Sequence, residues 1–322
     1  MLARVAERMY WFGRYVERAE NTARLIAVNT NLVMDLPQVK HIWGSVIDIA
    51  GTRDAFNERF TRVDERNVIK FLLEDEKSSL RAAVRMAREN ARTTREIMPS
   101  EAWERINELY LYLRNNLDQG VKRDGRHEFL ANVVNRCHQL TGLLSGNMSA
   151  DTAYNFIKIG RNLERADMST RIVDVGCLNL MNPVDSELTE YENILWMNVL
   201  RSLSAYQMYR QHVQDRVNGE DVVDFILRNE KFPRAVAHCL TEVENCCGQL
   251  SNNDGPMRAI GHSKRMLSGT NTATLLKEAK LHEFIDSLQL DLADIHTQVA
   301  GTWFGYAPPA AEAVSTRAAF ET

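Results

Sequence analysis

One twelve-residue pattern occurs twice in this chain and constrains its fold more than any other feature. The first copy is Gly13-Arg14-Tyr15-Val16-Glu17-Arg18-Ala19-Glu20-Asn21-Thr22-Ala23-Arg24. The second is Gly160-Arg161-Asn162-Leu163-Glu164-Arg165-Ala166-Asp167-Met168-Ser169-Thr170-Arg171. Six positions are identical and a seventh keeps its charge. Each copy lies in a long stretch without proline, so each is expected on a helix. At helical spacing Arg14, Glu17, Arg18, Asn21 and Arg24 share one face, as do Arg161, Glu164, Arg165 and Arg171. A solvated face has no physical reason to keep the same side chains at the same steps. The two stripes are therefore expected to share a structural or binding role.

Matches between the halves continue past the motif. Ile42-Trp43 aligns with Leu195-Trp196, and Phe71-Leu72-Leu73-Glu74-Asp75-Glu76-Lys77 with Phe225-Ile226-Leu227-Arg228-Asn229-Glu230-Lys231. The offset is 147 at the glycine (13 to 160), 153 at the tryptophan (43 to 196) and 154 at the phenylalanine (71 to 225). A smooth drift of register predicts a tandem duplication of a helical unit of about 150 residues. The expected architecture is all-α: two pseudo-two-fold-related helical-bundle repeats with long antiparallel helices. The first repeat takes residues 1–147. The second takes 148–306 and packs on the first as one globular unit. An Ala/Pro-rich end, 307–322, reads as a disordered tail.

Sixteen Gly and 7 Pro in 322 residues leave few turns, which favours long helices over a many-stranded sheet. The pattern predicts helices at 3–34, 39–59, 64–73, 79–98, 101–118 and 127–145, with a basic loop at 120–126. In the second half it predicts 151–181, 187–214, 220–227, 257–267 and 273–303. Pro37 and Pro183 are expected to end the two motif helices.

A net charge of −4 argues against a general nucleic-acid binder. Five cysteines without a C-x-x-C pair read as free thiols in a reducing compartment. No apolar run approaches the roughly 20 residues needed to cross a bilayer, and Met1–Tyr10 lacks an apolar signal core, so a cytoplasmic protein without membrane contact is expected. The chain shows no phosphate-binding Gly-rich loop, no G-x-S-x-G elbow and no Glu-x-x-His step. No cofactor and no metal are expected; Glu278 and His282, one turn apart, are too little for a metal site.

The chemistry left is that of the Glu-Arg stripes. Packed about a pseudo-two-fold axis, Gly13 and Gly160 would let two backbones approach closely. Glu17 would then meet Arg165, and Glu164 meet Arg18, as reciprocal bidentate pairs. Arg14, Arg18, Arg24, Arg161, Arg165 and Arg171 would outnumber the carboxylates there, which suits a carboxylate or phosphate ligand. Three readings stay open: buried structural pairing, an anionic ligand or peptide site, and solvated faces. Glu17 and Glu164 are also candidate catalytic residues: either, beside apolar Phe12 or Ile157, could have a raised pKa and act as a general base.

These motifs resemble the alpha-E family, an all-helical family with a repeated Glu-Arg motif. The resemblance runs from Met1 to about Tyr306. It is carried by Arg14-x-x-Glu17-Arg18-Ala19-Glu20 with Arg24, Gly160-Arg161-x-x-Glu164-Arg165-Ala166-Asp167 with Arg171, Ala87-Arg88-Glu89-Asn90-Ala91-Arg92, and Leu288-Gln289-x-Asp291-Leu292. It implies a bacterial protein encoded beside a circularly permuted ATP-grasp protein, often with a transglutaminase-like protease. Such neighbours make, modify or remove peptide or amide bonds. The expectation is a non-catalytic or co-catalytic helical partner of an ATP-grasp amide ligase, helping to present a peptide or amino-acid ligand. An enzyme in its own right and a purely structural scaffold are the alternatives.

Overall fold

A computed structural model describes residues 1–36, 41–181, 191–277 and 279–305, with only the backbone of 178–181. Pro37, Pro183, Glu278 and the expected tail at 307–322 lie outside the described residues. Among those described, all regular structure is helical.

The first motif helix, α1 (Ala3–Asp35), buries Met9, Phe12, Ala19, Ala23 and Ile26. The second, α8 (Thr152–Met181), starts where Asp151 Oδ1 accepts from the Ala153 amide at 2.9 Å, satisfying one of the free N–H groups of the first turn. These two helices pack on each other along much of their length and form the centre of the molecule. Around them lie α2 (Ile42–Ile49), α3 (Arg53–Asn57), α4 (Glu65–Glu74), α5 (Leu80–Thr93), α6 (Ser100–Val121) and α7 (Arg123–Asn147). From the other half come α9 (Glu192–Ser202), α10 (Tyr206–His212), α11 (Gly219–Arg228), α12 (Val236–Gly248), α13 (Asp254–Ser268), α14 (Thr272–Lys277) and α15 (Leu281–Trp303). Helices α5 and α7 pack on α1, and α12 and α15 on α8. Helix α2 also packs on α8, and α9 on α1. One continuous apolar core runs from Ala6 to Phe304 and takes side chains from both halves.

Several expected helices are divided. The stretch at 39–59 is broken at Gly51, whose φ of +65° no helix accommodates. The stretch at 187–214 is broken at Ser204, with φ +53°, and 273–303 at Ala279, with φ +55°. The helix expected to reach Met98 stops at Thr93, where the Thr94 hydroxyl donates to the Asn90 carbonyl at 2.7 Å and competes for a helical acceptor. The basic loop expected at 120–126 is replaced by two helices meeting at Lys122. Arg126 explains this. It is buried and donates to the Gly120 and Val121 carbonyls at 3.1 and 3.0 Å, satisfying the end of α6.

Candidate functional site

The site lies where α1 crosses α8. A Cβ on Gly13 would run into the Ile157 carbonyl, and one on Gly160 into the Tyr10 carbonyl. Each glycine thus touches the backbone three residues before the other, and only hydrogen-sized side chains permit that approach. The crossing brings the Glu-Arg pairs together. Arg14 Nε donates to Glu164 Oε2 at 2.5 Å. Arg18 donates to the same carboxylate through Nε at 2.6 Å and Nη2 at 3.0 Å. Arg165 Nε stands 3.0 Å from Glu17 Oε2, in a poor line for a hydrogen bond. Glu17 and Glu164 are each only 2% exposed. The solvated-face reading is therefore wrong for both glutamates.

A residue outside the stripes completes the cluster. Arg234, in the turn before α12, is buried. Its Nη1 donates to Glu17 Oε1 at 2.6 Å and Asn21 Oδ1 at 2.7 Å, and its Nη2 to Glu20 Oε1 at 2.5 Å. Glu20 passes the network outward to Arg24 at 2.7 Å and His138 Nε2 at 2.9 Å. Nothing in the local sequence marks Arg234, which follows a proline in a turn and belongs to no stripe. Tyr10 also escaped the sequence reading. Its hydroxyl accepts from Arg14 Nη1 at 2.8 Å and lies 2.8 Å from His296 Nδ1, which ties α15 to the cluster. Arg171 stands apart: it pairs with Asp167 at 3.1 Å and lies against Gly51.

Burial alone would raise the Glu164 carboxyl, but Arg14 and Arg18 outweigh it and hold the group down at about 2. The expectation of a raised pKa fails for Glu164, because the desolvated carboxylate faces two guanidiniums. A carboxylate held that low is a weak base at neutral pH. Burial likewise opposes the charge of Glu20, yet Arg234 and His138 hold it well below the usual carboxylate range. Arg161 behaves in the opposite way. Burial and the neighbouring Arg165 push its pKa down, and the pull of Glu17 does not compensate. Its Nε is buried without an acceptor among the described residues.

Among the described residues Arg14, Arg18, Arg24, Arg165 and Arg234 pair with three carboxylates, Glu17, Glu20 and Glu164, and Arg161 lies beside them without an ion pair. A surplus of partly buried guanidinium of this kind can hold an anion.

The model of the Alpha-E family, described as a predicted alpha-helical domain with a conserved ER motif, matches residues 1–304. Two of this chain's Glu-Arg pairs, Glu17-Arg18 and Glu164-Arg165, lie at the crossing. Similar proteins include uncharacterized proteins of Mycobacterium bovis and Mycobacterium tuberculosis, each 21% identical over 320 residues. The match takes in 91% of this chain but 34% of each relative, so the chain spans about a third of the length of the curated relatives it matches. No solved structure matches it.

Proposed function

This chain belongs to the Alpha-E family, and from that premise we propose that it is a non-catalytic or co-catalytic helical partner of an amide-bond-forming enzyme. The partner is a circularly permuted ATP-grasp protein, with a transglutaminase-like protease as a second candidate. The α1–α8 crossing holds an anionic group, carboxylate or phosphate, of the peptide or amino-acid ligand being presented.

The observation that carries this reading is the guanidinium surplus at the crossing. A purely structural cluster is expected to balance its charges, because an unpaired buried charge is costly. Here Arg161 makes no ion pair among the described residues. The relatives support a joint role, since the matched region occupies about a third of each polypeptide and the remainder is other sequence. The enzyme alternative is weakened by the low pKa of Glu164.

The same proposal places the protein in the cytoplasm. Five free, buried cysteines support this, and none of the described helices is long and apolar enough to cross a membrane. It also takes the chain to be two duplicated repeats, 1–147 and 148–306, about a pseudo-two-fold axis. Paired details support that reading. Helices α5 and α12 flank the two motif helices, and α2 and α9 each cross to the opposite one. Asp75 accepts from the Lys77 and Ser78 amides at 2.9 and 2.8 Å, as Asn229 does from Lys231 and Phe232 at 2.9 and 2.8 Å.

The test is co-purification of the tagged chain with the ATP-grasp protein encoded beside it, with and without ATP. A complex at micromolar concentration is expected. If none forms under either condition, the partnership is wrong.

A further inference from the structure

The two motif copies hold their arginines differently. In the first, Arg14 and Arg18 close on one carboxylate, that of Glu164, with the Tyr10 hydroxyl beside Arg14. This seat is filled from within the chain. Arg161 and Arg165 repeat those two positions in the second copy. The carboxylate placed to fill their seat is Glu17, but Arg234 draws it away. Glu17 Oε1 lies 2.6 Å from Arg234, and only Oε2 stays near Arg165. Among the described residues Arg161 makes no ion pair; its neutral neighbour is the Tyr154 hydroxyl. Two guanidiniums one helical turn apart repel when no anion lies between them. Both side chains keep partial exposure, while their Nε atoms are buried with no hydrogen-bond acceptor among the described residues.

We propose that Arg161 and Arg165 form the seat for a carboxylate of the ligand, built like the Arg14–Arg18 seat that Glu164 already fills. This deepens the reading above and rests on it for the position of the site. The filled seat shows what the geometry accepts: a planar two-oxygen group taking Nε–H from both arginines. That favours a carboxylate over a tetrahedral phosphate. Arg234 acts as a positioning residue that keeps Glu17 from closing the seat. A carboxylate could come from the C-terminus of a peptide or from an acidic side chain, and the chemistry of the seat is the same for both.

Calorimetric titration of the intact protein separates these cases. The probes are N-acetyl-alanine, which offers an α-carboxylate, N-acetyl-glutamate α-amide, which offers a side-chain one, and inorganic phosphate. At least one carboxylate probe is expected to bind saturably, and more tightly than phosphate. Arg161→Met should weaken that binding by about tenfold or more, the loss of one charge-assisted hydrogen bond. Its melting temperature should hold, because the residue makes no ion pair to lose. Glu17→Gln removes the internal competitor, so binding should tighten several-fold.

The seat is refuted if no carboxylate saturates below about 10 mM, if Arg161→Met binds as well as the parent, if phosphate binds more tightly, or if Glu17→Gln weakens binding. Partner co-purification is read separately. A complex that forms while no carboxylate binds removes the seat and leaves the partnership standing.

Discussion

Glu164 and Glu17 hold the same position in the two motif copies, yet they are partnered differently. Glu164 serves two arginines from α1, one of them 36% exposed on its side chain. Glu17 is divided between Arg165 on α8 and Arg234 from the turn before α12, whose side chain is 8% exposed. The first arrangement is closed and local to the helix pair. The second is pulled open by a third element. Identical spelling at a repeated motif therefore does not give identical chemistry, because the third partner is not part of the repeat.

Substitution of the two glutamates tests this contrast most directly. Glu17→Ala should have the largest effect, destabilising the protein by about 3–5 kcal/mol, since it strands charge that cannot reach water. Urea unfolding measures it. The double change Glu17→Ala with Arg165→Ala should cost less than the sum of the two singles. Additivity would mean that the pair across the crossing is not coupled.

Acid titration reads the closed side. Glu164 titrates at about 2 in the folded protein, against about 4.3 for an unfolded glutamate. Its folded pKa is depressed, so its contribution is complete above the unfolded value and lost as pH falls toward 2. The difference corresponds to roughly 3 kcal/mol. The parent should lose stability between about pH 5 and pH 2 more steeply than Glu164→Gln does. Parallel curves for the two proteins would show that Glu164 is not held as described.

Gly160→Ala probes the approach that makes both pairs possible. Its Cβ meets the Tyr10 backbone, which cannot swing aside as a side chain would. A loss of about 1–3 kcal/mol is expected, and Gly13→Ala should match it. A neutral result at either glycine would show that the helices cross less closely. The smallest effect should come from Arg161→Met. Without a ligand it should leave stability within about 0.5 kcal/mol, or raise it slightly by relieving repulsion with Arg165. A large loss would mean that Arg161 is structurally paired.

Much of this was readable from residue order. The stripes, the close glycines and the Glu17–Arg165 and Glu164–Arg18 pairings all follow from helical periodicity plus the repeat. On the last helix Leu281, Ile285, Leu288, Leu292 and Ile295 recur at helical spacing and are buried as a set. Helix breaks were less legible. Ser204 and Ala279 adopt positive φ although neither residue type favours it, and only packing of the flanking helices selects such a conformation. Arg126 looked like part of a basic loop because its acceptors are carbonyls of the preceding helix, which no side-chain pattern displays.

The sequence by itself determined that the chain is helical, which faces are buried and which helices bear the Glu-Arg pairs. Those properties depend on residues three or four apart, and helical spacing writes them directly into the order of side chains. The tertiary structure decided that Arg234 reaches Glu17 across 217 residues, that Tyr10 and His296 join the cluster, and that Arg161 makes no ion pair among the described residues. Those outcomes depend on where a turn comes to rest once the core has packed, and the distance between two side chains far apart in sequence is fixed only there.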